Sequence, residues 1–571
     1  AQELADTEEA VKEFRLPDGP ARTLHAALAE YDQQPSTHSW LDLFWPSRYL
    51  GRRDRIALNA NFFFLFADTE GFPPATPSPS APEQPQVERA AGLIAAAVHY
   101  KVRLDTEAIR PAEQRGRPLS MDQNKYLFAT TRIPGAEQDA VRAPYSESEP
   151  GPARAQHIVV LYRGNAFRLD VFGPGGDPHS LDDLGAGLQA VMAAGAQRAA
   201  DPVGQLTTKA RAQWAADRAA LLAAGNAEAV ETIETALFCV ALDEAAAEDT
   251  QRACDQLLHG DSGNRWFDKA VTFVVFADGR AGINVEHCEL DGTTILSFVD
   301  DLLGSDPQEH SRGSGARQQG IPAIQPVPFT LTDELRADIT AAGKAFADYA
   351  AATATQCVSF DDFGSTRAKE LGISPDAFVQ LAYQLAHRRS KGVTGATYES
   401  IATRQWRRGR TEAMRVVTPE VLRFVEAMTT DADPHTRRET LRAAAEAHVA
   451  RAKDCQAGRA PEQHLWELEW IQRRRGAELG VTEPLALYDS PGWRIMREDY
   501  LSTSSAPSAH IQFFGFGMTS GKCIGVAYVL LPGRLNVYLS TPAPVAGQMH
   551  AFADHLRTAV AELQELLAAG R

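Results

Sequence analysis

The residues best suited to chemistry in this sequence are Glu286-His287 and Asp291-Gly292, which form the pattern HxxxDG. Histidine titrates near neutral pH, so an imidazole held on a rigid element can serve as a general base. Asp291-Gly292 follows on the exit loop, where the chain turns sharply. A histidine that closes an apolar strand is as often structural as catalytic, so the motif alone leaves both interpretations open.

The element that must position His287 is a β-hairpin. Val271 to Phe276 and Gly282 to Val285 are apolar runs of strand length, with Asp278-Gly279 between them. Asp-Gly between two such runs predicts a tight hairpin turn, because both residues tolerate positive φ. The second strand would therefore deliver the imidazole to a fixed point at the edge of a sheet.

Length and charge exclude several classes of protein. A chain of 571 residues is too long for one ordinary core, and the polar stretch from Pro307 to Pro328 predicts a boundary near residue 330. We therefore expect two domains, residues 1–330 and 331–571. The formal net charge of −17 argues against nucleic acid or an anionic membrane as the main partner, since both would repel it. No apolar run reaches the length of a membrane span.

The cysteines predict a reducing compartment. They are scattered along the chain and form no CxxC pair, so we expect no zinc site, no other metal and a cytoplasmic location. The N-terminal stretch AQELADTEEAVKEF lacks the basic start and the apolar segment of a signal peptide, which fits that location.

Other segments predict the framework around the hairpin. Ser374-Pro375-Asp376 opens a helix, because Ser is a good N-cap, Pro belongs at the first helical position and Asp favours the first turn. The aromatic-rich segment from Arg22 to Phe66, which ends in the run FFFLF, is helix-prone and is expected to belong to the core. Five segments have strand character: 121–135, 157–172, 510–516, 524–531 and 534–540.

Six strings carry a resemblance to a known family. They are MDQNKYLFATTRIPG, NRWFDKAVTFVVFADGRAGINVEH, KELGISPDAFVQLAYQLAHRR, YESIATRQWRRGRTEAMR, YLSTSSAP and FFGFG, and they occur in the family's order. On these strings the chain resembles the carnitine/choline O-acyltransferases over nearly its whole length. The resemblance implies an α/β fold of two similar domains, each like chloramphenicol acetyltransferase, with a mixed sheet flanked by helices. It also implies a tunnel between the domains, which acyl-CoA and an alcohol enter from opposite ends.

The resemblance implies roles for three residues in catalysis. His287 matches the family's base, which takes the acceptor hydroxyl proton as the oxygen attacks the thioester and then protonates the departing thiolate. No acyl-enzyme is needed, because both substrates are bound together. Asp291 matches the acidic position of the family pattern and is expected to fix the turn that positions the histidine. Ser504 matches the family hydroxyl that stabilises the oxyanion.

By the same resemblance, a group of charged residues binds coenzyme A, the only co-substrate implied. The family uses basic side chains before the SPDAF helix to meet the 3′-phosphate. Lys369 matches one of them, and Arg367 lies close to the other position, where this chain has Ser365. Asp376 and Glu399 match acidic residues that bond to the pantetheine arm.

The acceptor pocket departs from the family pattern. Tyr398, Thr411 and Ser502 match residues that contact the carboxylate of carnitine. Phe514 matches an aromatic beside the trimethylammonium, where a cation–π contact contributes roughly 0.5 to 2 kcal/mol. The family's carboxylate-binding arginine falls on Gln463, which argues against free carnitine as the acceptor. A choline-like or uncharged hydroxyl compound fits Gln463 better.

A single residue predicts the acyl group. Gln512 stands two positions before the second Phe of the FFG-like string, where short-chain family members have a bulky residue and longer-chain members have glycine. Its size and polarity predict a short or polar acyl group.

Two other interpretations stay open at this point. Because Ser365 replaces one family lysine, the donor could lack a 3′-phosphate, and the same base could offload a polyketide-like acyl chain from an acyl carrier protein onto an alcohol or amine. The condensation enzymes of peptide synthesis also carry HxxxDG, but with a second histidine where this chain has Glu286. The last interpretation is a non-catalytic acyl-CoA-binding protein, against which the presence of His287, Asp291 and Ser504 argues.

Overall fold

The computed structural model of this protein describes residues 1–571 except 43, 68–84, 115, 288, 305, 307–308, 310–314, 316 and 570–571. Its strands are β1 Phe62–Phe66, β2 Glu113–Gln114, β3 Arg117–Pro118, β4 Thr131–Ile133, β5 Ala140–Arg142, β6 His157–Tyr162, β7 Asn165–Asp170, β8 Cys239–Leu242, β9 Val271–Val275, β10 Ala281–Val285, β11 Ile324–Pro326, β12 Thr353–Phe360, β13 Thr397–Ala402, β14 Thr411–Arg415, β15 Leu501–Ser505, β16 Ile511–Phe516, β17 Ile524–Leu530 and β18 Leu535–Pro542.

Its α-helices are α1 Gln2–Phe14, α2 Pro20–Asp32, α3 Phe44–Leu50, α4 Pro85–Asp105, α5 Leu181–Ala194, α6 Arg211–Ala223, α7 Ala227–Thr235, α8 Thr250–Leu258, α9 Gly292–Leu303, α10 Asp333–Ala351, α11 Ser365–Glu370, α12 Pro375–Lys391, α13 Pro419–Thr429, α14 Pro434–Gln456, α15 Pro461–Leu479, α16 Ala486–Asp489, α17 Pro491–Arg497 and α18 Ala546–Ala568. Among the described residues, no helix combines the length and the apolar character needed to cross a membrane.

The predicted hairpin before His287 is confirmed. Strands β9 and β10 pair antiparallel, with Val271 opposite Val285 and Val275 opposite Ala281. Gly279 takes a φ of 86°, the conformation that the turn requires and that glycine adopts without strain. Every residue of both strands is buried, so the hairpin lies inside a sheet and holds its end rigidly.

The first sheet has eight strands within the described ranges, in the order β11-β7-β6-β8-β9-β10-β1-β16. It is mixed, because β8 pairs parallel with β6 and β9 while β1 pairs antiparallel with β10 and β16. Strand β16 comes from the second half of the chain. The predicted boundary near residue 330 stays a prediction, and the second half contributes an edge strand to the first sheet.

The second sheet has six strands in the described part of the chain, in the order β12-β18-β17-β15-β13-β14. Strand β15 is parallel to both of its neighbours, β13 and β17, so this sheet is mixed as well. Helix α12 begins as predicted: the Ser374 hydroxyl accepts a hydrogen bond from the Ala377 backbone N–H over 3.4 Å, and Pro375 is the first helical residue. The expected α/β fold with two mixed sheets flanked by helices is therefore confirmed.

Two local predictions are wrong. The run Phe62–Phe66 is not helical but forms β1, because it pairs on both sides with other strands and because aromatic residues suit a buried pleated strand. Its assignment to the core is confirmed, since all five side chains are buried. The segment 121–135 is a strand only at Thr131–Ile133, and Asp122–Tyr126 is a 3-10 helix.

The N-terminal helices pack on the second half of the chain. Phe14 of α1 and Leu24 of α2 share a small apolar core with Leu468 and Ile471 of α15 and with Leu487 of α16. This packing connects the segment before α3 with the second half. It therefore helps to place Trp45 and Tyr49 of α3 beside His287 and Arg410.

The exchanged strand β16 generates a stability prediction. A Cβ atom on Gly515 would come within 2.3 Å of the Phe63 ring and 2.6 Å of the Tyr538 ring, and both rings are fully buried. Overpacking of this kind lowers the free energy of unfolding by about 1–3 kcal/mol. We expect Gly515→Ala to lower the thermal midpoint, whereas Gly521→Ala, whose Cβ meets no atom within 4 Å, should leave it nearly unchanged. Equal midpoints for the two variants would contradict this packing.

Candidate active site

His287 follows β10 directly, after the buried residues Val285 and Glu286. Its Nδ1 atom lies 2.6 Å from the carbonyl oxygen of Leu290. A carbonyl oxygen can only accept a hydrogen bond, so Nδ1 carries the hydrogen and Nε2 keeps its lone pair. The imidazole therefore has the tautomer that lets Nε2 act as a base.

The basic nitrogen of His287 faces Tyr49. The Tyr49 hydroxyl donates to Nε2 over 3.2 Å, and the centroids of the Tyr49 and Phe62 rings lie 4.8 and 5.2 Å from that of the imidazole. Burial lowers the pKa of His287 below its ordinary value, and the charge of Asp291 only partly opposes this shift. The ring is therefore neutral at neutral pH. An incoming hydroxyl has to take the place of the Tyr49 hydroxyl.

Asp291 is bonded to groups other than the imidazole. Its nearest oxygen lies 3.7 Å from Nδ1 of His287. It accepts hydrogen bonds from Arg410 Nε at 2.8 Å, from Arg410 Nη2 at 3.0 Å and from Gln123 Nε2 at 2.8 Å. Burial opposes the ionisation of Asp291, but the charge of Arg410 overcomes it and holds the pKa of this carboxyl below its ordinary range. Asp291 thus ties the loop after His287 to the second half of the chain.

A buried ion network lies behind the same loop. Arg132 Nη1 donates to Glu286 Oε1 over 3.0 Å, and Arg132 Nε donates to Asp139 Oδ2 over 2.6 Å. Nη2 of Arg132 donates to the backbone carbonyl of Tyr49 over 2.6 Å. One guanidinium therefore holds both the residue before His287 and the turn of α3 that carries Tyr49. Removing one partner of such a buried pair costs about 3–5 kcal/mol, so the network tolerates little displacement.

Ser504 lies on β15 in the second sheet. Side chains alternate along a strand, so Ser502 and Ser504 share one face while Thr503 faces α12, where its hydroxyl accepts from Gln380 over 2.9 Å. The half-buried Ser504 hydroxyl lies 3.1 Å from the hydroxyl of Ser400 on β13. The Ser504 hydroxyl can leave the Ser400 hydroxyl and bond to a ligand oxygen instead. Because both hydroxyls are neutral, this exchange leaves no buried charge unpaired.

The residues expected to contact the acceptor come from three segments. Gln463 of α15 is 3% exposed, and its Nε2 donates to the backbone carbonyl of Thr411 over 2.9 Å. The other side-chain atom of this amide, Oε1, has no hydrogen-bond partner within the described ranges. Burial raises the pKa of Tyr398, and the charge of Tyr49 contributes in the same direction.

Strand β16 carries two more of the expected residues. The Phe514 ring centroid is 6.2 Å from that of Phe62, which in turn contacts His287. Gln512 lies two residues before Phe514, where the pairing of β16 with β1 shifts register: Phe513 is opposite Leu65 and Ile511 is opposite Phe66. Gln512 is half-buried, and its backbone carbonyl accepts from Asn536 over 2.7 Å.

Asp376 and Glu399 form one cluster with His448 and Tyr528. The Tyr528 hydroxyl donates to Asp376 over 2.7 Å and lies 3.3 Å from Glu399, and His448 Nε2 lies 3.0 Å from Asp376. Burial raises the pKa of Glu399 far above its ordinary value, and the charge of Asp376 acts in the same direction. The cluster therefore combines an ionised carboxylate with a neutral carboxyl group.

The same cluster contains the donor set closest to a metal site. Asp376, Glu399 and His448 form the one group of three potential metal ligands in the described part of the chain, with ligand atoms within 4.8 Å of one another. The hydrogen bonds to Tyr528 and His448 already engage both oxygens of Asp376. These bonds account for the arrangement as a hydrogen-bonded cluster.

The residues expected to bind phosphate lie on α11, just before α12. The side chain of Lys369 is exposed and makes no hydrogen bond or ion pair with any described residue. Arg367 is half-buried and has long contacts of 3.3 Å with Glu370 and with Gln564. Exposed contacts of this kind contribute little, so both cations are available to an anion.

The tunnel between the two halves stays a prediction. Two cavities, of about 490 and 330 Å³, are lined by α1, α2 and residues 479–487, and neither includes a residue of the candidate site.

Four residues of the candidate site were not identified from the sequence: Tyr49, Gln123, Arg132 and Arg410. The last three stand in the strings MDQNKYLFATTRIPG and YESIATRQWRRGRTEAMR, where polar residues inside structured segments were the available signal.

Comparisons with known proteins identify the family of this chain. The family described as Choline/Carnitine o-acyltransferase matches residues 1–558. Carnitine O-palmitoyltransferase 2 of Mus musculus is 29% identical over 561 residues, which cover 92% of this chain and 82% of that protein. Carnitine O-acetyltransferase of Columba livia is 29% identical over 587 residues, which cover 99% of this chain and 89% of that protein.

Among solved structures, the wax ester synthase/diacylglycerol acyltransferase from Marinobacter aquaeolei VT8 has a TM-score of 0.32 and 10% sequence identity to this chain. The match covers 91% of this chain and 97% of that one. This similarity is too low to support a conclusion. The family match begins at the N-terminal helices, includes both sheets and ends inside α18. The chain therefore belongs to the choline/carnitine O-acyltransferase family and is an acyltransferase that moves an acyl group from acyl-CoA to a hydroxyl acceptor.

Proposed function

We propose that this enzyme transfers a short or polar acyl group from coenzyme A to the hydroxyl of a small choline- or carnitine-like acceptor. His287 is the general base, and no acyl-enzyme forms. The observation that carries the proposal is the tautomer of His287: its Nδ1–H is held by the Leu290 carbonyl at 2.6 Å, which leaves Nε2 able to take a proton. The relatives named for acetyl and palmitoyl transfer to carnitine support the same class of reaction.

In the proposed reaction, the acceptor hydroxyl replaces the Tyr49 hydroxyl at Nε2 of His287. As its oxygen bonds to the thioester carbonyl carbon, its proton passes to Nε2. The resulting imidazolium keeps its bond to Leu290 and faces the Asp291 carboxylate at 3.7 Å, whose charge stabilises it. When the carbon–sulfur bond breaks, Nε2 returns the proton to the sulfur of coenzyme A.

Two residues support this base in the proposal. Ser504 donates its hydroxyl to the oxyanion, exchanging Ser400 for the substrate oxygen, and a donor of this kind contributes about 3 kcal/mol to transition-state stabilisation. Asp291 fixes the loop of His287 through its bonds to Arg410 rather than by moving a proton.

Coenzyme A is proposed to lie along α11 and α12. Lys369 and Arg367 meet the 3′-phosphate, which the absence of close partners for Lys369 in the described ranges supports. Asp376 and Glu399 bond to the pantetheine arm. A carboxylate beside a neutral carboxyl group offers an acceptor and a donor, which is what an amide of pantetheine requires.

The acceptor is proposed to contact Tyr398, Thr411, Ser502 and Phe514. The neutral Gln463 provides no charge for a carboxylate at its own position, so free carnitine is disfavoured there. Gln512 limits the acyl pocket, which its position two residues before Phe514 on β16 supports.

Transfer from an acyl carrier protein gains no support, since the relatives reported above are named carnitine acyltransferases. The mouse relative is described as mitochondrial, and the cytoplasmic location of this chain stays a prediction.

Replacing the base should remove activity but not donor binding. We expect His287→Ala to lower kcat by about 10²–10⁴-fold, the usual contribution of a general base. Thiol release from acetyl-CoA with a panel of hydroxylated acceptors measures kcat, and calorimetry should show nearly unchanged affinity for coenzyme A. His435→Ala, which removes an imidazole 72% exposed on α14, serves as the control. Near-normal turnover in a folded His287→Ala variant would refute the mechanism.

The pH profile should report the lowered pKa of His287. Its protonated form cannot accept a proton, so kcat/KM should rise with pH and level off above the pKa. Because burial lowers that pKa from 6.5, the midpoint should lie below 6.5. Asp291→Asn removes a charge that raises the pKa, so the midpoint should move further down. A midpoint above 6.5 in the unmodified enzyme would contradict this environment.

Gln512 should set the acyl chain length. We expect Gln512→Gly to raise the ratio of kcat/KM for octanoyl-CoA over acetyl-CoA at least tenfold, since one methylene in an apolar pocket is worth about 10–200-fold. Gln512→Leu keeps the size without the polarity and should retain the short-chain preference. An unchanged profile in the glycine variant would place the acyl pocket elsewhere.

A further inference from the structure

Two arginines lie over one indole ring near the candidate acceptor site. The guanidinium carbon of Arg48 is 4.5 Å from the centroid of the Trp466 ring, and that of Arg497 is 3.5 Å from it. Both arginine side chains are half-buried. The three residues belong to α3, α15 and α17, so only tertiary packing brings the Arg48–Arg497 pair together.

Among the residues that the structure describes, the Arg48–Arg497 pair has no anionic partner. Neither guanidinium forms an ion pair or a hydrogen bond with any residue that the structure describes. Burial lowers the pKa of Arg497, and the like charge of Arg48 contributes in the same direction. Two cations that repel each other in a partly desolvated place are stabilised by an anion that bonds to both.

The carboxylates around the pair are already engaged. Glu462 accepts from Arg415 over 2.7 Å, and Asp499 forms an ion pair with the same guanidinium. Glu469 pairs with Arg473 over 2.5 Å. These carboxylates contribute to the electrostatic field at the Arg48–Arg497 pair, but they accept no hydrogen bond from either guanidinium.

The pair lies within electrostatic range of the reacting groups. Arg48 directly precedes Tyr49, whose hydroxyl is bonded to Nε2 of His287. Burial raises the pKa of both Tyr49 and Tyr398, and in each case the charge of Arg48 opposes the shift. The positive charge of Arg48 therefore acts at the phenols of Tyr49 and Tyr398.

Gln463, which stands where the family has its carboxylate-binding arginine, makes that position unfavourable for an anion. Its Nε2 is directed at the Thr411 carbonyl, which fixes the orientation of the amide because two acceptor oxygens cannot face each other. The buried Oε1, which has no partner in the described ranges, then presents a lone pair that repels a carboxylate. A carboxylate on the acceptor is favoured at the arginines and disfavoured at residue 463.

We propose that the Arg48–Arg497 pair binds an anionic group of the acceptor, which is therefore a hydroxy acid whose carboxylate extends toward α3 and α17. This inference rests on the proposed function, because it concerns the acceptor of the same reaction. A guanidinium presents parallel N–H donors that match a carboxylate, and its stacking on Trp466 limits its motion before the acceptor arrives.

The test compares acids with matched neutral esters. Acyl transfer from acetyl-CoA is measured for carnitine and for hydroxy acids of two to six carbons, each beside its methyl ester. We expect the unmodified enzyme to prefer the best acid over its ester by at least about tenfold in kcat/KM, the loss that follows from about 1.4 kcal/mol. Arg48→Gln and Arg497→Gln should each raise KM for the acid at least tenfold and leave KM for the ester and for acetyl-CoA unchanged.

The controls separate binding from folding. Arg494→Gln changes another arginine of α17, 68% exposed, and should alter neither KM. Arg48→Lys keeps a positive charge and should recover part of the affinity for the acid. Thermal midpoints of all variants are measured alongside.

The outcomes distinguish this inference from the proposed function. An ester used as well as its acid, or glutamine variants that lower the thermal midpoint without changing the acid-to-ester ratio, would overturn the role of the pair while leaving acyl transfer intact. Transfer to none of these hydroxyl compounds would count against the proposed function and the inference together.

Discussion

The buried ion pair between Asp291 and Arg410 is the interaction on which the site depends. The two residues are 5% and 9% exposed, and they join the loop after β10 to the hairpin of β13 and β14. Breaking such a pair leaves a buried charge without a partner, at a cost of about 3–5 kcal/mol. Because Asp291 ends the loop that begins at His287, the position of the imidazole is set by both halves of the chain.

That constraint explains the state of the imidazole. With the loop fixed, the Leu290 carbonyl is held at Nδ1 of His287 and dictates which nitrogen carries the hydrogen. Arg132 fixes the other side, since it holds Glu286 and the backbone of Tyr49 at once. The imidazole is thus oriented by a carbonyl and by two ion networks, while the Asp291 carboxylate lies 3.7 Å from its Nδ1 atom.

Much of the local structure could be predicted from the sequence, and the failures have a common cause. The Asp278-Gly279 turn and the Ser374 cap were predicted correctly because each depends on backbone angles and hydrogen bonds within a few residues. Phe62–Phe66 was misread because its strand pairing comes from distant segments, one of them Ile511–Phe516. The sequence likewise could not predict which charged residues lie near Gln463, because Arg48 and Arg497 belong to separate helices.

The hairpin, the HxxxDG motif, the capped start of the helix at Pro375 and the family resemblance could all be predicted from the sequence. These follow from residue types at short spacing, where sterics and local hydrogen bonds decide. Long-range packing alone brings Tyr49, 238 residues before His287 in the chain, to the Nε2 atom of His287 and Arg410 to Asp291. Contacts of this kind depend on how two sheets and their exchanged strand pack together, which no local pattern contains.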